Sequence, residues 1–109
     1  MAYNEELAGR LRLKLKGHPG IVEKKMFGGV GYLLNGNMTC GVYKDDLIVR
    51  LGAKDFEAAL KKPNVRVFDI TGRPMKGWIL VQKKGLASHK ALQGWIDKSL
   101  EMAAALPPK

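Results

Sequence analysis

The sequence has one cysteine, two histidines and no long apolar run, and each scarcity removes a class of function. With Cys40 alone, no internal disulfide can form, which fits a reducing compartment. No stretch approaches the roughly 20 apolar residues that a membrane-spanning helix needs. The N-terminus carries Glu5 and Glu6, whereas a signal peptide opens with basic residues followed by an apolar stretch. We therefore expect a cytoplasmic protein that does not contact a membrane.

Residues that support metal or nucleophilic chemistry are equally scarce. Cys40, His18 and His89 form neither a C-x-x-C nor an H-x-x-x-H pair, so we expect no metal ion and no cofactor. Cys40 lies in the middle of a strand pattern, where a free cysteine usually behaves as a small buried hydrophobe. These patterns identify no catalytic residue, and we expect the protein not to be an enzyme.

A glycine-rich run, GGVG at residues 28–31, matches neither the dinucleotide-binding motif nor the P-loop. It leads from one strand pattern into another, which favours a bulge or close backbone packing in a bent sheet. Lys24 and Lys25 lie just before it, so anion binding is the alternative interpretation.

Positive charge is what the sequence has in excess. Lysine and arginine total 19 against 10 acidic residues, a formal net charge of +9. The excess lies towards the two ends of the chain, and no block of five or six like charges marks a nucleic-acid-binding tail. This balance is compatible with polyanion binding, although such an excess of charge is more often only a solvated surface.

Apolar periodicity divides the chain into helices and strands. A period near four predicts a helix over residues 4–16, capped by Asn4, and a second helix following Gly52. A third helix, capped by Ser88, should bury Leu92, Trp95, Ile96, Ser99 and Ala103.

Alternation predicts strands over residues 21–27, 30–34, 38–43, 47–51, 65–70 and 77–82. Asn35-Gly36 predicts a type I′ hairpin. On the strand after this turn, Met38, Cys40 and Val42 should share one face.

The expected fold class is therefore α+β. It is a two-layer arrangement in which helices pack on an antiparallel sheet of about five to six strands, in the order α-β(3-4)-α-β(2)-α. Residues 1–109 are expected to form a single domain.

Two segments give the chain a family resemblance. One runs from EKKMFGG at residues 23–29 to NGNMTCGV at residues 35–42, and the other is FDITGRPMKGW at residues 68–78. Together with the two ends of the chain, these segments resemble the N-terminal domain of the TfoX/Sxy family. The resemblance implies a stand-alone, single-domain member of a family of regulators that promote expression of DNA-uptake genes in competent bacteria. It implies a two-layer fold with an antiparallel sheet, and it supplies no catalytic residues.

The same segments suggest a binding surface. If they meet in space, four basic side chains would surround one concave surface over an apolar floor: Lys24, Lys25, Arg73 and Lys76 around Met26, Phe27 and Trp78. The alternative is that both segments only maintain a bent sheet.

For function, we expect a non-enzymatic regulatory or adaptor domain that binds a protein partner, as a monomer or a homodimer. Direct nucleic-acid binding through a basic surface is the first alternative. An enzyme or binder of a small anionic ligand, with a pocket at Cys40, Asp69 or Arg73, is the second.

Overall fold

The computed structural model describes residues 4–18, 20–26, 29–68, 77–86 and 88–107. In these ranges the chain forms three α-helices and six strands: α1 (Glu5–Leu15), β1 (Ile21–Met26), β2 (Gly29–Leu34), β3 (Asn37–Tyr43), β4 (Asp46–Arg50), α2 (Ala53–Leu60), β5 (Val65–Val67), β6 (Trp78–Val81) and α3 (His89–Ala104). A 3₁₀ turn, Lys83–Leu86, precedes α3. The predicted α+β fold class and element order are confirmed, with four strands before α2 and two after it.

Helix α1 begins where the sequence predicts. The Asn4 side chain accepts a hydrogen bond from the Leu7 backbone N–H at 3.0 Å, which satisfies one of the unpaired donors of the first turn. The helix buries a stripe made of Leu7, Ala8, Leu11 and Leu15. Leu13, which lies off this stripe, is 75% exposed. The stripe therefore positions α1 against the sheet.

The six strands form one antiparallel sheet in the order β1-β2-β3-β4-β6-β5. The first four strands are neighbours in sequence, so each pairs with the next. The meander then breaks, because β6 lies between β4 and β5. Strand β5 follows α2 and takes the edge position, leaving β1 as the other edge.

The hairpin between β2 and β3 has the predicted turn. Asn35 and Gly36 have φ values of 52° and 87°, and positive φ at both central positions defines type I′. This twist matches that of the flanking strands.

One expectation about the following strand is wrong. The register shifts between Tyr32 and Leu33, so that Tyr32 pairs with Cys40 and Leu33 with Met38. Thr39 is the extra residue of this β-bulge, and its hydroxyl donates to the Tyr32 carbonyl at 2.9 Å. The bulge moves Met38 to the face opposite Cys40 and Val42, where it packs near Ile48.

The helices pack on one face of the sheet and enclose the main core. Buried strand residues on this face include Val30, Cys40, Val42, Leu47 and Ile79. The other face carries a smaller cluster of Ile48, Phe68 and Leu80, against which Met38, Tyr43 and Trp78 pack. This division gives the two-layer architecture that the sequence predicts.

Helix α3 begins at the predicted cap, where the Ser88 hydroxyl accepts from the Ala91 N–H at 3.0 Å. All five residues predicted on its inner face are buried: Leu92, Trp95, Ile96, Ser99 and Ala103. After the helix, the Pro107 carbonyl accepts from the Asn37 side chain at 2.9 Å, which holds the end of the described chain against β3. Among the helices of the described ranges, none has the length and apolar character needed to cross a bilayer.

Candidate functional site

The candidate site begins with strand β1, which forms an edge of the sheet. Its six residues pair with β2 on one side. No other strand of the described ranges pairs with its outer side. A strand in this position presents unpaired N–H and C=O groups along its outer edge. At about 3.3 Å per residue, β1 offers an edge of roughly 20 Å.

Lys24 and Lys25 lie on this edge strand and are both exposed. Lys24 pairs with Gly31 and Lys25 with Val30. Since Val30 belongs to the helix-covered core, Lys25 lies on the helix side and Lys24 on the opposite side. Val22, two residues before Lys24 and on the same side, is 60% exposed. The two charges therefore lie on opposite faces of one exposed strand.

The remaining residues of the predicted surface fall into two groups. Trp78 lies on β6, and β2, β3 and β4 separate it from β1. Its ring packs 6.2 Å from that of Phe68, and the Arg50 guanidinium lies 5.2 Å from its centroid. Phe27, Arg73, Lys76 and the side chain of Met26 lie outside the described residues, as does Asp69. The joint surface around these residues stays a prediction.

A charged pair holds β1 against α1. Arg12 donates from Nε to Glu23 Oε1 at 2.6 Å and from Nη2 to Glu23 Oε2 at 3.1 Å. These hydrogen bonds hold the pKa of Glu23 below its ordinary value. Behind the pair, the Tyr32 hydroxyl donates to the Ala8 carbonyl at 3.2 Å, and burial raises the pKa of Tyr32. The edge strand is thus fixed by both a neighbouring strand and a helix.

The glycines of β2 and β3 explain how closely the backbones approach. A Cβ on Gly29 would collide with the Val42 carbonyl oxygen, and one on Gly41 with the Val30 carbonyl oxygen. Close backbone packing, one of the interpretations of the glycine-rich run, is therefore confirmed at Gly29.

Cys40 offers no reactive group at the surface. It is fully buried, and burial raises the pKa of its thiol to about 11. Its thiol lies 3.5 Å from the Thr39 hydroxyl. At neutral pH the residue is an uncharged part of the core, as the strand pattern predicts.

In the described part of the chain, no group of three histidine, cysteine or carboxylate side chains is arranged to hold a metal ion.

A second concave region lies near the β5–β6 end of the sheet. It is a groove between α3 and the segment after α2, with a volume of about 380 Å³. Trp95 lines this groove together with three lysines, Lys62, Lys90 and Lys98. From the sequence, Trp95 is predicted only as a core residue, and no pattern singles out these lysines. Lys62 is separated from the others by about thirty positions, so only the packing of α3 beside α2 brings them together.

The sequence was compared with protein families, with curated proteins and with solved structures. Residues 14–103 match the family described as TfoX N-terminal domain, which is most of the 109-residue chain. No curated protein matches the sequence. No solved structure matches it either.

Proposed function

Because this chain belongs to the TfoX N-terminal domain family, we propose that it is a non-enzymatic regulatory domain that acts by binding a protein partner. The observation that carries this proposal is the open edge of β1, with Val22, Lys24 and Lys25 exposed along it. Edge strands bind extended peptides by adding a strand to the sheet. The main chain then supplies affinity, and alternate side chains supply specificity.

The charges on β1 define the kind of partner. In the described ranges, neither Lys24 nor Lys25 forms an ion pair, and both belong to a chain of net charge +9. An added strand places its side chains beside those of β1 on both faces. The partner segment is therefore an extended peptide with acidic residues opposite the two lysines and an apolar residue beside Val22.

The other edge of the sheet is less suited to this role. Strand β5 has three residues, half the length of β1. Arg66 of β5 lies 3.6 Å from Asp46, so its charge is already partly compensated. The greater length of β1 favours it. Its charge does too, because neither Lys24 nor Lys25 lies within ion-pair distance of an acidic group in the described ranges, although the charge of Lys25 also acts on Glu23.

An enzymatic role has less support. The buried thiol of Cys40, with its pKa of about 11, does not supply a nucleophile. Asp46, at the start of β4, has its pKa raised by burial, but its carboxylate is paired with Arg66 and does not line the groove beside Trp95.

The test compares two charge-reversed proteins with the wild type in affinity capture from the native cytoplasm after nuclease treatment. The double variant Lys24→Glu/Lys25→Glu should lose a partner that the wild-type protein retains. The control, Lys83→Glu/Lys84→Glu, makes the same change in net charge at exposed residues and should retain it. The purified partner segment should then protect the β1 amides from hydrogen exchange.

Three results would contradict the proposal. One is a partner that both double variants capture equally well. Another is a partner set that disappears with nuclease, which would favour direct nucleic-acid binding. The third is a homodimer that the β1 reversal dissociates, because β1 would then pair with a second copy of the chain.

A further inference from the structure

The groove beside Trp95, called the basic groove below, lies at the β5–β6 end of the sheet, and Val81 of β6 and Gly85 of the 3₁₀ turn form part of its lining. Lys62 follows α2, whereas Lys90, Gly94 and Lys98 lie along one side of α3. Spacings of four residues place these three α3 positions on neighbouring turns of the same helix face. The groove volume of about 380 Å³ lies within the range of roughly 300–1,000 Å³ that is usual for small-molecule sites.

Among the residues that the structure describes, the charged side chains lining the groove are all basic. Three lysines contribute to it, and no aspartate or glutamate of the described ranges does. Asp55 approaches Lys98 at 3.5 Å but does not line the groove, and its side chain is 52% exposed. The Lys62 ammonium lies 5.1 Å from the centroid of the Trp95 ring. At this distance the face of the ring attracts the positive charge in a cation–π interaction. Three lysines therefore line one concavity, and the ammonium group of one of them, Lys98, is shared with Asp55.

The floor of the groove is open at Gly94. This glycine is exposed in the middle of α3, and a Cβ added there would meet nothing within 4 Å. Packing therefore does not require a glycine at this position. A larger side chain at this position would project into the groove without displacing the helix. A substitution of Gly94 therefore tests whether a ligand occupies the groove.

We propose that this groove binds a small anion that carries two or more phosphate groups, with Lys62, Lys90 and Lys98 contacting the phosphate oxygens. Lysine acts on phosphate as a point charge, whereas recognition of a single planar carboxylate favours the forked guanidinium of arginine. Trp95 forms an apolar wall of the site and holds Lys62 in place.

The burial of Trp95 distinguishes this ligand from a single-stranded nucleic acid. Binding of single strands uses exposed aromatic rings on which bases stack. Trp95 is 9% exposed, and Lys62 lies over its ring. The groove thus offers charge to phosphate groups but no stacking surface to bases. It also lies at the opposite end of the sheet from β1, so its ligand is separate from the partner proposed above.

Calorimetric titration with inorganic pyrophosphate, and separately with ADP, tests the proposal on the full chain. We expect saturable binding, weakened at least about tenfold by Lys62→Gln/Lys90→Gln, since charged hydrogen bonds are lost. The control Lys16→Gln/Lys44→Gln removes the same charge at exposed residues that do not line the groove and should leave the affinity within about twofold.

A second pair of variants tests the space itself. Gly94→Glu should abolish pyrophosphate binding, because it places a carboxylate in the groove. Gly9→Glu makes the same substitution on α1, where a Cβ also meets nothing within 4 Å, and should bind like the wild type. Thermal unfolding of each variant shows whether it is folded, so loss of binding and loss of structure are distinguished.

The proposal is wrong if neither pyrophosphate nor ADP binds, or if the two lysine pairs weaken binding equally. It is also wrong if Gly94→Glu binds pyrophosphate as well as Gly9→Glu does. A single-stranded oligonucleotide that binds through Lys62 and Lys90, and that pyrophosphate does not displace, would instead identify a nucleic-acid surface.

Discussion

At the residue scale, Cys40 gives a direct test of the core. With a pKa of about 11, its thiol at pH 8 is ionised in only about 0.1% of molecules, and its side chain is fully buried. A disulfide reagent such as Ellman's should therefore label the folded protein at least about a thousandfold more slowly than the protein unfolded in guanidinium chloride. Because Cys40 is the only cysteine, the absorbance change reports this residue alone. Labelling rates within tenfold of each other would show that Cys40 is accessible.

Single residues also show where reasoning from sequence fails. Alternation holds along β4, which is regular: Leu47 and Val49 lie on one face of the sheet and Ile48 on the other. It misplaces Met38, because the bulge at Thr39 inserts one residue into the pattern. A threonine is common in any strand, and its hydrogen bond to the Tyr32 carbonyl exists only once β2 and β3 have paired. Local sequence therefore predicts periodicity but not its interruption by a bulge.

At the element scale, the Arg12–Glu23 pair joins α1 to the edge strand. Because the pKa of Glu23 is lowered in the folded protein, the pair stabilises the fold above the ordinary glutamate pKa of 4.5. This stabilisation is lost as the pH falls through the lower, folded-state value. Glu23→Gln should reduce the free energy of unfolding by about 0.2–1 kcal/mol at pH 7, the usual range for exposed pairs, and by less in acid.

Urea unfolding at pH 7 and at an acid pH measures this difference. Glu57→Gln provides the control, since Glu57 is exposed on α2 and no ion pair involves it in the described ranges. An equal loss at both pH values would mean that packing of the Glu23 side chain, rather than its charge, supports β1.

Elements were more predictable than their arrangement. Caps at Asn4 and Ser88 and the Asn35-Gly36 turn depend on residues within a few positions, so the sequence reveals them. The insertion of β6 between β4 and β5 depends on contacts between residues that are distant in the chain. The apolar periodicity of the sequence does not indicate this strand order. The groove near Trp95 was missed for the same reason. Of the predicted surface, Lys24 and Lys25 lie on the strand that the sequence predicts over residues 21–27.

At the scale of the whole molecule, the net charge of +9 should oppose folding through self-repulsion. The three ion pairs of the described ranges are at least partly exposed, so they offset little of this repulsion. Salt screens the repulsion, and the midpoint of thermal unfolding should rise by a few degrees between low salt and about 0.3 M NaCl.

The variant Lys83→Gln/Lys84→Gln provides the matched comparison, because it reduces the net charge without touching an ion pair in the described ranges. It should show a smaller rise with salt than the wild type. A midpoint that falls with salt in both proteins would mean that attractive pairs outweigh the repulsion.

The position of β6 has a consequence for synthesis of the chain. Strands β1 to β4 leave the ribosome first and can pair as a local meander, since each adjoins the next in sequence. Until residues 78–81 emerge, however, β4 is an edge, and it carries Leu47, Ile48 and Val49 in succession. An apolar edge strand is a template for intermolecular pairing. The nascent chain is therefore most prone to aggregation between the emergence of β4 from the ribosome and the pairing of β6 with it.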